Sequence, residues 1–201
     1  TLDFNDPKNL AIELKPNDRF FIPALGNTIY NSITVMGAVN RPGMVGWFDG
    51  MSLLDVFNDV NEDFIPEAVD LNFAFIERFN TNNSLWELIP FSPMDIISNI
   101  SSKANIILQE NDIVNILYND ERRMQQFSSA ISKLRTQSSN DQLSQVVTIT
   151  GAVKFPGQYP IFRDSTLAEM FVAAGGFKDD ALLGSIEISR TNLVDDGLVA
   201  P

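Results

Sequence analysis

Two short runs, residues 34–36 and 147–150, consist of apolar and β-branched residues that partly alternate. This pattern is typical of strands in a sheet with one covered face. A Pro-Gly pair follows each run and fits a type II turn, because proline fixes φ at the second turn position and glycine supplies a positive φ at the third. The pattern therefore predicts two β-hairpins. The motif residues are Gly37, Pro42 and Gly43 in the first hairpin and Gly151, Pro156 and Gly157 in the second.

A helix is predicted to begin after each hairpin. Thr166, with a glutamate three residues later, predicts a capping box, and Ser52 with its following aspartate is the shorter analogue. Gly175 and Gly176 predict the C-terminal cap of the second helix. Asn61 stands near the matching position of the first helix, where the same left-handed cap is expected. The apolar stripes are Leu53, Val56, Phe57 and Val60 in the first helix and Leu167, Met170, Phe171 and Ala174 in the second.

The two stretches are related by a constant offset of 114 positions. Residues 35–43 (VMGAVNRPG) align with residues 149–157 (ITGAVKFPG), and the register continues without a gap through both helix starts. With a shift of two residues, the segment 75–78 (FIER) then meets the segment 187–190 (EISR). Self-similarity at a fixed offset indicates that one structural unit occurs twice.

A third element marks where a unit closes. Residues 12–18 (IELKPND) recur as residues 106–112 (IILQEND), and each copy precedes an apolar run that predicts a closing strand. No counterpart follows residue 190, so we expect the chain to be part of a longer protein. The predicted organisation is residues 1–22 as the tail of an upstream unit, 33–118 as a complete unit, 119–145 as a helix and linker, and 146–201 as a second, incomplete unit.

The segment between the two units predicts an amphipathic helix followed by a polar linker. Its apolar residues are spaced three, four and three positions apart and are Met124, Phe127, Ile131 and Leu134. Two interpretations are open. The helix packs on its own neighbouring unit, or it contacts a second subunit.

Composition excludes several classes of function. The 201 residues include neither cysteine nor histidine, which removes disulfides, thiolate nucleophiles, Ser-His-Asp triads and zinc sites built on those ligands. The formal net charge of −12 disfavours binding to nucleic acid or to an anionic lipid surface. No apolar run approaches the roughly 20 residues of a membrane helix, so no span is expected.

Motifs of catalysis and metal binding are missing from the sequence. The acidic clusters at 61–63, 178–180 and 195–197 lack the spacing of an EF-hand and are interpreted as solvated turns rather than as calcium sites. Nucleophile elbows, phosphate-binding glycine loops and dinucleotide fingerprints are also missing. We therefore expect no enzymatic activity, no metal and no cofactor.

The combined motifs resemble the SLBB (soluble ligand-binding β-grasp) module. They are Val-x-Gly-x-Val-x-x-Pro-Gly, a Ser/Thr-Leu helix start, Ala-Gly-Gly, Ile-x-x-Arg and a closing Leu-x-x-x-Asp. The closing turn of this chain reads Asn-Asp where the module usually has Gly-Asp, and residues 119–145 are additional. The resemblance implies an α+β fold of tandem β-grasp modules, the second truncated, with an intervening helix.

Tandem copies of this module are typical of the outer-membrane polysaccharide export family. Membership would imply a periplasmic protein attached to the outer membrane through parts outside this chain. It would also imply a homo-oligomeric ring that carries polysaccharide and meets an inner-membrane polysaccharide co-polymerase, with the modules building the channel wall of a capsule or exopolysaccharide exporter. The alternative is a ligand-sensing or adaptor module that belongs to no channel.

Four residues on or beside the hairpins are candidate contacts for a ligand or partner. Flat aromatic rings stack on the C–H faces of sugars, and long cationic side chains can pair with uronate carboxylates. The residues are Arg41 and Trp47 in the first unit and Lys154 and Tyr159 in the second. The alternative interpretation is that the aromatic rings belong to the hairpin core and that the cations are ordinary surface charges.

Overall fold

The computed structural model describes residues 31–98, 105–138, 144–182 and 184–190, together with the backbone of two strands near the C terminus. The predicted upstream tail at 1–22 lies outside the described residues. The strands are β1 (Ser32–Gly37), β2 (Gly43–Gly46), β3 (Val69–Asn80), β4 (Leu85–Phe91), β5 (Ile113–Tyr118), β6 (Val146–Ile149), β7 (Gly157–Pro160), β8 (Asn192–Val194) and β9 (Gly197–Val199). The helices are α1 (Leu53–Val56), α2 (Val60–Asp63), α3 (Pro93–Ile97), α4 (Arg122–Thr136) and α5 (Leu167–Ala173).

Five strands form one sheet in the order β2-β1-β5-β3-β4. β1 runs antiparallel to β2 and parallel to β5, and β3 lies antiparallel to both β4 and β5. β6 and β7 form a separate antiparallel hairpin, as do β8 and β9. This mixed sheet with a few short helices confirms the predicted α+β class.

The sheet buries apolar side chains on both faces. The core on one face includes Ile33, Ile76 and Ile116 and extends to Leu53 of α1 and Ile96 of α3. The core on the other face includes Phe73, Phe75, Leu88 and Leu117 and extends across α4 to residues of the second unit. The two units therefore share the second core.

Helix α4 lies between the five-stranded sheet and the β6–β7 hairpin. It buries Phe127, Ile131 and Leu134, and the Phe127 ring stacks on Phe75 of β3 with centroids 5.4 Å apart. On its other side Phe127 meets the Tyr159 ring of β7 edge-on at 5.0 Å. The apolar stripe of the helix thus packs within this chain, which favours the first of the two interpretations.

The caps of α5 form as predicted. The Thr166 hydroxyl accepts from the Glu169 backbone N–H at 3.3 Å, while the Glu169 carboxylate accepts from the Thr166 backbone N–H at 2.6 Å. At the other end, the N–H of Gly175 donates to the carbonyl of Val172 and the N–H of Gly176 to that of Phe171. This pair of bonds is a Schellman motif, and Gly175 has the positive φ that it requires.

The first helix differs from its predicted form. Asp55 accepts from the backbone N–H and the hydroxyl of Ser52 at 2.8 and 2.7 Å, and these bonds lower the pKa of Asp55 below its usual value. The helix ends at Val56, and a second short helix starts because the Asp59 carboxylate accepts from the backbone N–H groups of the next turn. Asn61 therefore lies inside α2, so the prediction of a left-handed cap at this residue is wrong.

The Pro-Gly pairs do not form the hairpin turns. In both hairpins the glycine of the pair already lies in the return strand, and Gly157 lacks the positive φ of a type II turn. Instead, Gly37 and Gly151 adopt φ values of 98° and 89° at the end of the outgoing strand. The paired residues are Val35 with Gly43 and Ile149 with Gly157.

Several local features recur at the offset found in the sequence. Positive φ occurs at Gly50 and again at Asp164, 114 positions later. An isolated β-bridge and a pair of contacting aromatic rings recur as well. In each case the first residue recurs at the offset of 114 positions, and the second residue recurs one position earlier than that offset. The bridges join Val39 to Phe64 and Val153 to Phe177, and the ring pairs are Phe57 with Phe64 at 5.1 Å and Phe171 with Phe177 at 4.7 Å.

The closing turn of the first unit has asparagine at a position with left-handed backbone. Asn111 has a φ of 67°, which asparagine tolerates better than most residues. The next residue, Asp112, accepts from Arg78 at 2.9 and 2.6 Å and from the Gln109 backbone N–H at 2.8 Å. The Ile-x-x-Arg strand and the closing turn are therefore joined by a two-point, almost fully buried ion pair.

Candidate functional site

Trp47 is fixed at the edge of the first core. Its indole N–H donates to the Leu108 carbonyl at 2.9 Å, and its half-buried ring packs against the core cluster on that side of the sheet. The ring thus ties the end of β2 to the closing turn. This placement gives Trp47 a packing role.

Tyr159 is fully buried in the core shared by the two units. Its hydroxyl donates to the Phe155 carbonyl, and burial raises its pKa to about 12. A sugar cannot reach the ring face unless the core opens. The placement agrees with the hairpin-core interpretation and not with a stacking contact.

The two cations lie on the surface. The Arg41 side chain is 80% exposed and lies 3.2 Å from the buried carboxylate of Asp63. Lys154 is exposed in the loop between β6 and β7, beside a cleft that also includes the end of α5. Of the four candidate contacts, these two are the ones that solvent reaches freely.

Replacing Tyr159 with phenylalanine should change the pH dependence of stability. A tyrosine in the unfolded chain ionises near pH 10. The buried neutral phenol therefore makes its full contribution to the free energy of unfolding below about pH 10, and this contribution is lost as the pH rises toward 12. Phenylalanine has no proton to lose, so Tyr159→Phe should lose less stability at alkaline pH. At neutral pH the lost hydrogen bond should cost about 1 kcal/mol.

Urea unfolding of both proteins at pH values of about 7 and about 11 measures this difference. Equal losses of stability in the two proteins between these pH values would contradict the burial of the phenol.

Arg123 is a functional candidate that the sequence analysis missed. It is fully buried, and its guanidinium lies 2.6 Å from the Asp70 carboxylate of β3. The same group donates to the carbonyls of Ala173 at 2.8 Å and of Val172 and Tyr118 at 3.3 Å. One side chain of α4 therefore holds the sheet of the first unit and the last carbonyls of α5.

The sequence contains a signal for this residue. Arg123 precedes Phe127 by four positions and so lies on the apolar face of α4, because residues four apart share a helix face. A charged residue on such a face is buried only when it is paired. The signal identifies a buried arginine, but it does not identify the partner.

A second contact fixes α4 to the sheet near its C-terminal end. The Lys133 ammonium lies 2.7 Å from the buried carboxylate of Glu77 and 3.7 Å from the centroid of the Trp86 ring. Asn115 donates to the other oxygen of Glu77 at 2.9 Å. Buried charges at both ends of the helix are thus paired, which fixes its position on the sheet.

The two edges of the sheet are protected differently. On the outer edge of β4, the Gln137 side chain bonds the N–H and the carbonyl of Trp86, and the Arg163 N–H donates to the Leu88 carbonyl. Within the described residues, no strand pairs with the outer edge of β2. Met36 and Met44 beside that edge are about half exposed, at 49% and 47%. An edge of this kind is available for contact with another chain.

The comparisons with known proteins identify one domain family. Residues 146–201 match the family model of the SLBB domain. Neither a curated protein nor a solved structure matches the chain. The match supports an SLBB module in the second part of the chain, which contains β6, β7 and α5.

Two kinds of feature are absent from the described part of the chain. No helix there has the length and hydrophobicity to cross a membrane. No group of three or more acidic side chains in that part of the chain is placed to hold a metal ion.

Proposed function

We propose that this chain is the periplasmic part of a polysaccharide export protein, in which two SLBB modules in tandem build the channel wall. The observation that carries the proposal is the recurrence, 114 positions apart, of the hairpin glycine, the positive φ before the helix and the helix cap. One of the two copies lies within the segment that matches the SLBB model. Repeated modules that share a core are suited to a wall, because each covers a face of its neighbour.

The placement of the hairpin aromatics supports a wall role over direct binding of cargo. Trp47 and Tyr159 are used for packing, and Arg41 is paired with Asp63. A wall needs surfaces for subunit contact, and the β2 edge, with which no described strand pairs and which has exposed methionines beside it, is suited to such a contact. In this proposal the protein forms a ring of identical subunits, contacts an inner-membrane polysaccharide co-polymerase and conducts polysaccharide.

A charge placed on the β2 edge should impair assembly without unfolding the protein. Met44→Lys in the full-length protein is expected to reduce cross-linked oligomers and surface polysaccharide together, since burying an unpaired ammonium in a subunit contact is costly. The melting temperature should hardly change because Met44 is exposed in the single chain. Met94→Lys is the matched control, since Met94 of α3 is 39% exposed and lies away from this edge.

Two outcomes would contradict the proposal. The first is a full-length protein that is monomeric in cells, which would favour the adaptor alternative. The second is normal export by Met44→Lys with unchanged oligomers, which would exclude the β2 edge as a subunit contact.

A further inference from the structure

The hairpin of the second unit has one open edge. β6 pairs with β7 on one side, and within the described residues no strand pairs with its other side. In the first unit the matching strand β1 is paired on both sides, with β2 and with the parallel closing strand β5. The described part of the second unit therefore has a gap at the place that β5 occupies in the first.

Apolar side chains of β6 are less buried than their counterparts in the first unit. Ile33 and Val35 of β1 are 0% and 2% exposed and belong to the first core. Val147 and Ile149, which stand 114 positions later, are only half-buried. The open edge of β6 thus leaves apolar surface that a further strand would cover.

A second row of apolar side chains is exposed in the same unit. The sequence repeat places Ile186 and Ile188 where β3 of the first unit has Ala74 and Ile76. The two β3 residues are fully buried and pair with β5. Ile186 and Ile188 are 51% and 61% exposed and lie outside any strand. The strand that pairs with both rows in the first unit is the same closing strand.

One arginine of the second unit lacks the partner that its counterpart has. Arg190 matches Arg78, which holds the carboxylate of Asp112 in the closing turn of the first unit. Arg190 is exposed, and its side chain makes no ion pair or hydrogen bond with the described residues. A strand that fits the gap therefore carries a carboxylate at the position of Asp112.

Residues 12–22 carry the features that the gap requires. They repeat the closing element of the first unit at an offset of 94 positions, so Asp18 stands where that element has Asp112. The run that follows has apolar residues at alternate positions, Phe20 and Ile22. The two residues of β5 that these match are fully buried.

We propose that residues 12–22 of one copy of this chain close the second unit of a neighbouring copy, as a parallel strand beside β6. Asp18 then pairs with Arg190, and Phe20 lies beside Ile149. Backbone hydrogen bonds along the strand edge supply affinity, while the apolar side chains and the ion pair fix the register. The exchange does not depend on the export role, because it needs only copies of this chain, and it uses a different edge from β2.

The distance to be spanned favours a neighbouring copy over the same copy. Residue 22 would lie beside Gly151, near the start of α4, since Gly157 of the same hairpin approaches Met124. Asn31 lies at the other end of β1, about 20 Å away along the strand, and on the opposite side of α4. The straight path between the two points is roughly 28 Å and passes through the helix, while the intervening eight residues reach at most about 30 Å.

The exchange has a consequence for assembly. Each copy gives a strand at one end and receives a strand at the other, so the contact is head to tail. Contacts of this kind form a closed ring when the rotation between copies closes, and a filament when it does not.

Cysteine cross-linking tests the exchange without background, because the chain has no cysteine of its own. The register of β1 with β5 places Arg19 of one copy beside Thr148 of the next. Full chains with Arg19→Cys and with Thr148→Cys are made separately, unfolded in urea, refolded together and oxidised. We expect a disulfide-linked dimer that contains one chain of each kind. Gln158→Cys is the matched control, because Gln158 is also exposed and pairs with Thr148 from β7, two strands from Arg19 and too far for a disulfide.

A charge exchange tests the predicted ion pair by sedimentation. Asp18→Arg and Arg190→Asp should each weaken association of the chain about tenfold, because like charges then meet at the contact. The two substitutions combined should restore association to within about threefold of the unmodified chain. Lys178→Asp is the matched control and should leave association unchanged, because Lys178 is an exposed cation of the same unit that the repeat does not place at the gap.

Three results would overturn the proposal. The first is a mixed dimer that forms no more readily with Thr148→Cys than with Gln158→Cys. The second is a failure of the combined charge exchange to restore association. The third is a disulfide that forms within single chains carrying both Arg19→Cys and Thr148→Cys, without dimers, which would show that the segment closes its own copy.

Discussion

Arg123→Met is expected to lower the free energy of unfolding by about 3–5 kcal/mol. The substitution keeps much of the volume of the side chain but removes its charge and every donor. Asp70 is then a buried carboxylate without its cation, and the carbonyl of Ala173 loses its donor. These groups belong to both units. We therefore expect the two units of Arg123→Met to unfold in two separate steps.

Two further variants make this prediction specific. Arg122→Met is the control, since Arg122 is the adjacent residue and its pair with Asp120 is about half exposed, so solvent screens the pair and its loss should lower the free energy of unfolding far less. Adding Asp70→Asn to Arg123→Met should recover part of the lost stability by removing the unpaired charge. Urea unfolding followed by two probes, one in each unit, measures these effects. Equal losses of unfolding free energy in Arg122→Met and Arg123→Met would contradict the proposal that Arg123 holds the two units together.

Gly37→Ala is expected to prevent folding or to cost more than about 4 kcal/mol. A Cβ built at Gly37 lies 1.8 Å from the Ile116 carbonyl oxygen and 2.5 Å from the Gln126 amide nitrogen. The carbonyl belongs to the central strand β5 and accepts from the Ala38 N–H at 2.9 Å, so it cannot move aside without breaking the sheet. The positive φ of 98° adds backbone strain.

Gly151→Ala is the matched control, because Gly151 occupies the same place in the second hairpin. Its φ is 89°, but no atom lies within 4 Å of a built Cβ. Only the backbone strain remains, which should cost about 1–2 kcal/mol. Thermal melts of the two variants separate the steric effect from the strain. A Gly151→Ala protein that is destabilised as strongly as Gly37→Ala would contradict the assigned contacts.

The features that the sequence predicted correctly are local. The Thr166 cap and the Schellman motif at Gly175 and Gly176 depend on residues within one helical turn, so their motifs suffice to identify them. The α+β class follows from strand-like runs interrupted by capped helices. These interactions need no knowledge of the rest of the chain.

The misplaced features depend on contacts between distant residues. The Pro-Gly pair is compatible with a turn, but the pairing of Val35 with Gly43 is set by the sheet. Tyr159 lies on a short strand that would expose its ring, and Phe127 of α4 covers it. Helix α4 is likewise fixed by Asp70 and Glu77, which lie more than 50 positions from Arg123 and Lys133.

The cleft beside Lys154 could not be predicted from sequence patterns either. The residues that line it come from five separate segments of the chain. The sequence predicts Lys154 as a contact from its place beside a hairpin, whereas the cleft exists only because contacts between distant residues bring the two units together.

A crystal structure of residues 31–201 would test most directly that one module occurs twice. Residues 33–64 should superpose on residues 147–178 at an offset of 114, with Gly37 on Gly151, Gly50 on Asp164 and Ser52 on Thr166. A best superposition at another offset, or a helix that does not begin after Thr166, would contradict the tandem arrangement.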